Sequence, residues 1–174
     1  MSSVVISGDT SGAITLSAPA VSGTNTATLP AATGTVMVSG NMPAFSAYAS
    51  GGASASAGVA LKLTFDTEEF DTNSNFASSR FTPTVAGYYV FSSGCYFNAA
   101  SNSNQLILYK NGSSYKDFSR VSCPLIAQAA GGSVVAYANG STDYFEVYIL
   151  CSSGTNTGSG SQYVYFAGSM VRGA

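Results

Sequence analysis

Histidine is absent from this chain of 174 residues, which excludes imidazole-based nucleophile activation and the ordinary zinc sites that carry a His ligand. Charge is scarce too. Six Lys and Arg against eight Asp and Glu give a net charge of −2, and charged residues make up only 8% of the sequence, where a soluble domain carries about a quarter. Six scattered basic residues offer no electrostatic footprint for nucleic acid. No apolar run approaches the length of a spanning helix, so no membrane insertion is expected. The opening Met1-Ser-Ser-Val-Val-Ile6-Ser-Gly8 lacks the basic start and apolar stretch of a secretory signal, and synthesis in the cytosol without a cleaved export signal is the expectation. Only three cysteines occur, Cys95, Cys123 and Cys151, with no Cys-x-x-Cys spacing. They read as small buried apolar residues, with pairing of two after release from a cell left open. No helix-period segment and no phosphate-binding glycine loop appear, and no cofactor is expected.

What is abundant is Gly, Ser, Thr, Ala and aromatics, including 11 Tyr and 10 Phe. A chain this poor in charge exposes uncharged surface, which copies of itself would cover; a surface solvated by hydroxyls and amides is the alternative. Residues 1–40 carry a short repeat. Gly12, Gly23 and Gly34 are spaced by eleven, and Pro19-Ala-Val-Ser-Gly23 is echoed by Pro30-Ala-Ala-Thr-Gly34. Between these breakers lie the β-prone runs Ile14–Leu16, Thr26–Thr28 and Thr35–Val38. Extended segments joined by turns are expected, too short to build a core alone but able to intertwine with other copies, with a disordered low-complexity linker as the alternative.

Residues 41–174 read as a β-sandwich. Pro43–Ala47 is the expected first strand. Val59, Leu61, Leu63 and Phe65 alternate onto one face, and residues from Gly87 form two sets: Tyr89, Phe91, Ser93, Cys95 and Phe97 against Tyr88, Val90, Ser92, Gly94 and Tyr96. Because both sets carry aromatics, one face is expected against the opposing sheet and the other against another subunit. Asn111-Gly112 marks a hairpin between Gln105–Lys110 and Ser113–Phe118. A second Asn-Gly at 139–140 separates Ser133–Tyr137 from Asp143–Leu150, and Ser152–Ser161 reads as an exposed loop before a closing strand from Tyr163 to Val171. Asp66, Glu68, Glu69 and Asp71 are weak calcium candidates, since oxygen ligands suit that ion although the spacing is not that of a helix-loop-helix site. A solvated loop, with Arg80 pairing one of the four, is the competing reading. Asp143 or Glu146 could be nominated for glycan cleavage, and Tyr48 or Tyr115 for stacking on sugars, with nothing specific recommending either; no enzymatic activity is expected.

Phe65, five residues, Asp71, four residues, Phe76, then Phe81, five residues, Gly87-x-Tyr89-x-Phe91 resembles the signature of the globular head of complement subcomponent q, a jelly roll of the tumour-necrosis-factor type. Pro43–Ala47 is similar to that family's first strand and Phe166–Met170 to its last, so the likeness spans roughly residues 41–174. Two departures stand out: a shorter gap from Phe76 to Phe81, and Ser93 where an aromatic is expected. The resemblance implies an all-β, antiparallel jelly-roll head that forms a homotrimer. Phe45, Tyr88, Tyr89, Phe91, Phe97, Tyr148 and Phe166 are then candidates for its core or three-fold interface. Residues 23–36 resemble segments of bacteriophage structural proteins. Together the likenesses imply a virion surface protein, made in the host cytoplasm. Residues 1–40 would dock on capsid or tail proteins, and the head would serve as a fibre tip touching a host surface glycan or as capsid decoration. A free, secreted, lectin-like recognition protein of the complement-head type is the alternative, though neither an export signal nor a collagen-like stalk is seen.

Overall fold

Alternating apolar and polar residues, punctuated by Gly and Asn turns, fold into strands throughout a computed structural model that describes residues 3–21, 23–26, 28, 31, 33–34, 36–123 and 128–174, with the side chain of Cys123 outside the description. The chain divides into two units, Met1–Gly34 and Thr35–Ala174.

In the first unit β1 (Ser3–Ser7) pairs antiparallel with β2 (Ala13–Ser17), setting Val4 opposite Leu16 and Ile6 opposite Ile14. Every residue of the hairpin is exposed. Ile14–Leu16 is a strand as expected, whereas Thr26, Thr28 and Val36–Val38 lie outside any strand, and Ala27 and Thr35 lie outside the described residues. The Val4–Ile6 partner was not recognised from sequence.

The second unit contains β3 (Ala44–Tyr48), β4 (Ser54–Ala55), β5 (Leu61–Lys62), β6 (Thr67–Asp71), β7 (Phe76–Ala77), β8 (Arg80–Phe81) and β9 (Gly87–Phe97). After these come β10 (Ser101–Lys110), β11 (Ser113–Cys123), β12 (Gln128–Ala138), β13 (Phe145–Cys151), β14 (Thr155–Asn156) and β15 (Tyr165–Gly173). One sheet has the order β12-β9-β15-β3-β6; the other runs β11-β10-β13-β8-β7, with β5 also on β13. All pairings are antiparallel. The only helix among the described residues is a short 3-10 turn at Ser39–Asn41, and the fold is an all-β jelly-roll sandwich.

Between the sheets lies one aromatic cluster. Phe45 stacks on Phe81 with centroids 4.3 Å apart and meets Phe166 edge-on at 4.9 Å, while Phe91 lies 4.5 Å from Phe145. Tyr89 is buried with its hydroxyl donating to the Val85 carbonyl at 2.7 Å. Gly168 lets this cluster close, because a Cβ there would stand 2.7 Å from Phe91 and 2.8 Å from Phe45.

Four expectations change. Val59 is exposed, because Gly58 adopts φ 69° and turns the chain just before it; only Leu63 and Phe65 of that run are buried. Residues 152–161 are not a wholly exposed loop: Thr155 and Thr157 are buried, β14 pairs with β4, and the Thr157 hydroxyl accepts from the Ala53 N–H at 2.9 Å. The first strand begins one residue later than expected. The closing strand starts at Tyr165, since the Tyr163 and Val164 amides are held in a turn by the Gly160 carbonyl.

Candidate subunit interface

Two sets of side chains alternate along β9, and the structure separates them. Tyr89, Phe91, Ser93, Cys95 and Phe97 are all buried between the sheets. Tyr88, Val90, Ser92 and Tyr96 face outward with Gly94 among them. Strand register extends this outer face across the sheet in rows. One row is Ser133, Ser92, Ala167, Ser46 and Phe70, and the next is Val135, Val90, Ser169 and Ala44. Tyr137 and Tyr88 continue the surface with rings 5.5 Å apart. The two rows carry no charge, yet Phe70 is 51% and Val135 50% exposed; the charges of this face lie at its margins, with Arg172 opposite Tyr88 and Glu69 accepting from the Ser46 hydroxyl. Small residues in the middle make the surface flat, so another flat surface could approach closely. The antiparallel sheets of an isolated sandwich usually turn a polar face to water, and the centres of subunit contacts are depleted of charge.

The edge of this sheet is closed by a different device. Lys116 Nζ donates to the Val135 carbonyl at 2.7 Å and Lys110 Nζ to the Tyr137 carbonyl at 2.8 Å. Both carbonyls belong to β12, the sheet's outermost strand on that side. Ammonium groups on edge carbonyls obstruct the addition of a further strand.

The candidate residues named from sequence are distributed unevenly. Phe45, Tyr89, Phe91, Phe97 and Phe166 are fully buried within one chain's own core, Tyr88 stands on the outer face, and Tyr148 lies on the outer side of the opposite sheet, stacked on Tyr109 at 3.9 Å. Val135, Tyr137 and Phe70 were not singled out; the alternation of Ser133, Val135 and Tyr137 was the available signal. Three of the four acidic residues of the 66–71 stretch accept hydrogen bonds within the chain. Asp66 takes the Ser50 amide at 2.7 Å, Glu69 the Ser46 hydroxyl at 2.6 Å, and Asp71 the Phe76 amide at 2.7 Å, while Glu68 is exposed. The Ser50 hydrogen bonds hold the Asp66 carboxyl below its ordinary value. Among the described residues no group of three or more His, Cys, Asp or Glu is gathered to hold a metal ion.

Arg80 pairs not with that acidic stretch but with Glu146. Glu146 Oε1 receives Lys62 Nζ at 2.7 Å and Arg80 Nε at 2.9 Å. Burial pushes the Glu146 carboxyl upward, but the hydrogen bonds and charges of Lys62 and Arg80 outweigh it, and the net shift is downward. Asp143 is likewise lowered, with burial opposed by Asn111, Lys110 and the Asn139 amide. It joins the two Asn-Gly turns, accepting from Asn111 Nδ2 at 2.8 Å and the Asn139 amide at 2.9 Å. Both nominated carboxylates are therefore engaged in binding the fold together. Tyr48 is half-buried, and Tyr115 is 43% exposed beside Lys116. Cys95 and Cys151 are buried, and burial, reinforced by the neighbouring Cys151, raises the Cys95 thiol well above its usual range.

No protein-family model matches the chain, and no curated protein matches its sequence. Solved structures do match in shape. Murine APRIL superposes with a TM-score of 0.61 at 8% identity, covering 75% of this chain and 99% of its own. The globular domain of zebrafish complement 1qA gives 0.56 at 18% identity over 76% and 99%, and the Eiger tumour necrosis factor of S. frugiperda 0.55 at 8% over 76% and 93%. The head shares their fold. That likeness corrects nothing in the expected architecture and concerns the jelly roll alone, leaving the N-terminal hairpin outside its reach.

Proposed function

We propose that this chain is a non-enzymatic structural protein of a bacteriophage virion. In this reading it is a homotrimer displaying a jelly-roll head and attached through its N-terminal arm to capsid or tail proteins. The carrying observation is the centre of the outer face of the sheet containing β9, β12 and β15: its rows are small and uncharged, with Val135, Phe70, Tyr88 and Tyr137 exposed among them, and they have the depleted charge of an interface centre. The resemblance in the sequence to the trimeric complement-head type supports packing of this face around a three-fold axis. The resemblance of residues 23–36 to phage structural segments supports the virion role. The hairpin adds a further reason, since Val4, Ile6, Ile14 and Leu16 form an apolar ribbon that two strands cannot bury alone.

The test combines two measurements. Light scattering of the full chain should give three times the monomer mass, and the double substitution V90D/V135D should give one. Deleting residues 1–34 should leave a soluble trimer that no longer enters particles. A wild-type chain that remains monomeric at high concentration would remove the basis of the proposal. Between the two virion roles, fibre tip and capsid decoration, the discriminating observation is where labelled protein sits on the particle.

A further inference from the structure

Outside the proposed interface, the second sheet carries a cleft of about 490 Å³ lined by Lys62, Ser74, Asn75, Ser78, Arg80 and Thr84, among other residues. Three features set it apart. Two cations share the single buried carboxylate of Glu146, leaving one uncompensated positive charge at the cleft wall in a protein whose net charge is −2. Arg80 is held by its Nε on Glu146, its guanidinium carbon lies 3.8 Å from the centre of the Tyr144 ring, and its side chain remains 43% exposed. The stacked, pinned guanidinium thus has its orientation set in advance, and among the described residues its two Nη groups carry no hydrogen bond. Such a fork suits a carboxylate.

The backbone supplies the third feature. Ser74, Ser78 and Ser79 have φ of 53°, 51° and 58°, a left-handed conformation that a side chain makes unfavourable. Among the described residues, Asn111 is the one other non-glycine with positive φ. Strained positions gather where function holds them. Here they bring Ser74 and Ser78 to the cleft wall, alongside the amide and hydroxyl of Asn75 and Thr84, which bond each other at 3.3 Å. A wall of hydroxyls and amides with one fixed cation matches a ring bearing several hydroxyls and one carboxylate.

We infer that this cleft binds an acidic sugar, a uronic-acid or similar carboxylated residue of a surface polysaccharide, with Arg80 and Lys62 facing its carboxylate. The inference rests on the reading of the head as a displayed recognition domain and names the class of glycan it would take.

The experiment titrates the full chain by calorimetry at low ionic strength with hexagalacturonate, and in parallel with neutral maltohexaose. Hexagalacturonate should bind and maltohexaose should not, and added salt should weaken binding. Ala77, exposed on β7 and lining the cleft, stands directly across from Arg80 in strand register, so a charge placed there acts on the guanidinium itself while leaving Lys62 and Glu146 unaltered. A77E should weaken hexagalacturonate by about tenfold, while A77K should bind at least as tightly as wild type. Arg80→Gln should abolish binding, and its melting temperature separates lost contact from lost fold. Equal binding of the two oligosaccharides, binding of neither, or indifference to the sign of charge at residue 77 would overturn the inference. None of those outcomes touches particle incorporation, which the arm deletion tests independently.

Discussion

At Gly168 a hydrogen atom stands where any other residue would place a carbon against two core phenylalanines. G168V would force Phe45 and Phe91 apart in a closely packed cluster and should destabilise the head by about 1–3 kcal/mol, measured by urea unfolding. The opposite sign is expected at Ser78, whose exposed side chain sits on a left-handed backbone. S78G should raise the melting temperature, by relief of about 1 kcal/mol or more of strain. Glu146 supplies a pH dependence. Its folded pKa lies below its ordinary value of 4.5, so the stabilisation it contributes is fully present above that value and is lost as pH falls through the lower, folded one. E146Q should therefore flatten the acid limb of a stability-versus-pH curve while lowering stability at neutral pH. Some of these residues were legible: Phe65, Phe76, Phe81, Tyr89 and Phe91 stand in the spacing that resembles the complement-head signature, and all five lie in the core. The partnership of Lys62 and Arg80 with Glu146 was not, because it joins residues far apart in sequence and register decides it.

Turns and edges show the same division among the elements. The hairpin at Asn111-Gly112 was readable because those residues are the ones that accept positive φ, 54° and 78° here. The hairpin joining β7 to β8 turns through Ser78 and Ser79 at 51° and 58°, and nothing in a Ser-Ser pair announces that conformation. Thr155 and Thr157 were hidden for a related reason, their burial coming from β4 and Ala53, about a hundred residues earlier in the chain. The lysines over β12 yield a prediction at this scale. Replacing Lys116 alone, as K116M, frees the edge carbonyl of Val135 while leaving the Lys110–Asp143 ion pair in place, and should increase concentration-dependent aggregation, followed by light scattering.

For the whole molecule, the scarcity of charge in the sequence led to the expectation of self-association, and the sheet face containing β9 has two central rows that carry no charge. Composition could not say which face. That required the register that sets Ser133, Ser92, Ala167 and Ser46 side by side. The double substitution V90D/V135D places two carboxylates on this surface, and like charges brought together around the proposed three-fold axis should dissociate the proposed trimer without unfolding the sandwich. The circular dichroism of the monomer should remain that of the wild type.

The two strands at the beginning of the chain enclose nothing, since each of their side chains stands in solvent. A ribbon without an interior has no cooperative melting of its own. In a calorimeter the isolated chain should absorb heat in a single peak belonging to the sandwich. If the ribbon gains its interior only on docking, a second peak should appear once the protein is mounted on a particle, and the heat under it would report how firmly the mooring holds.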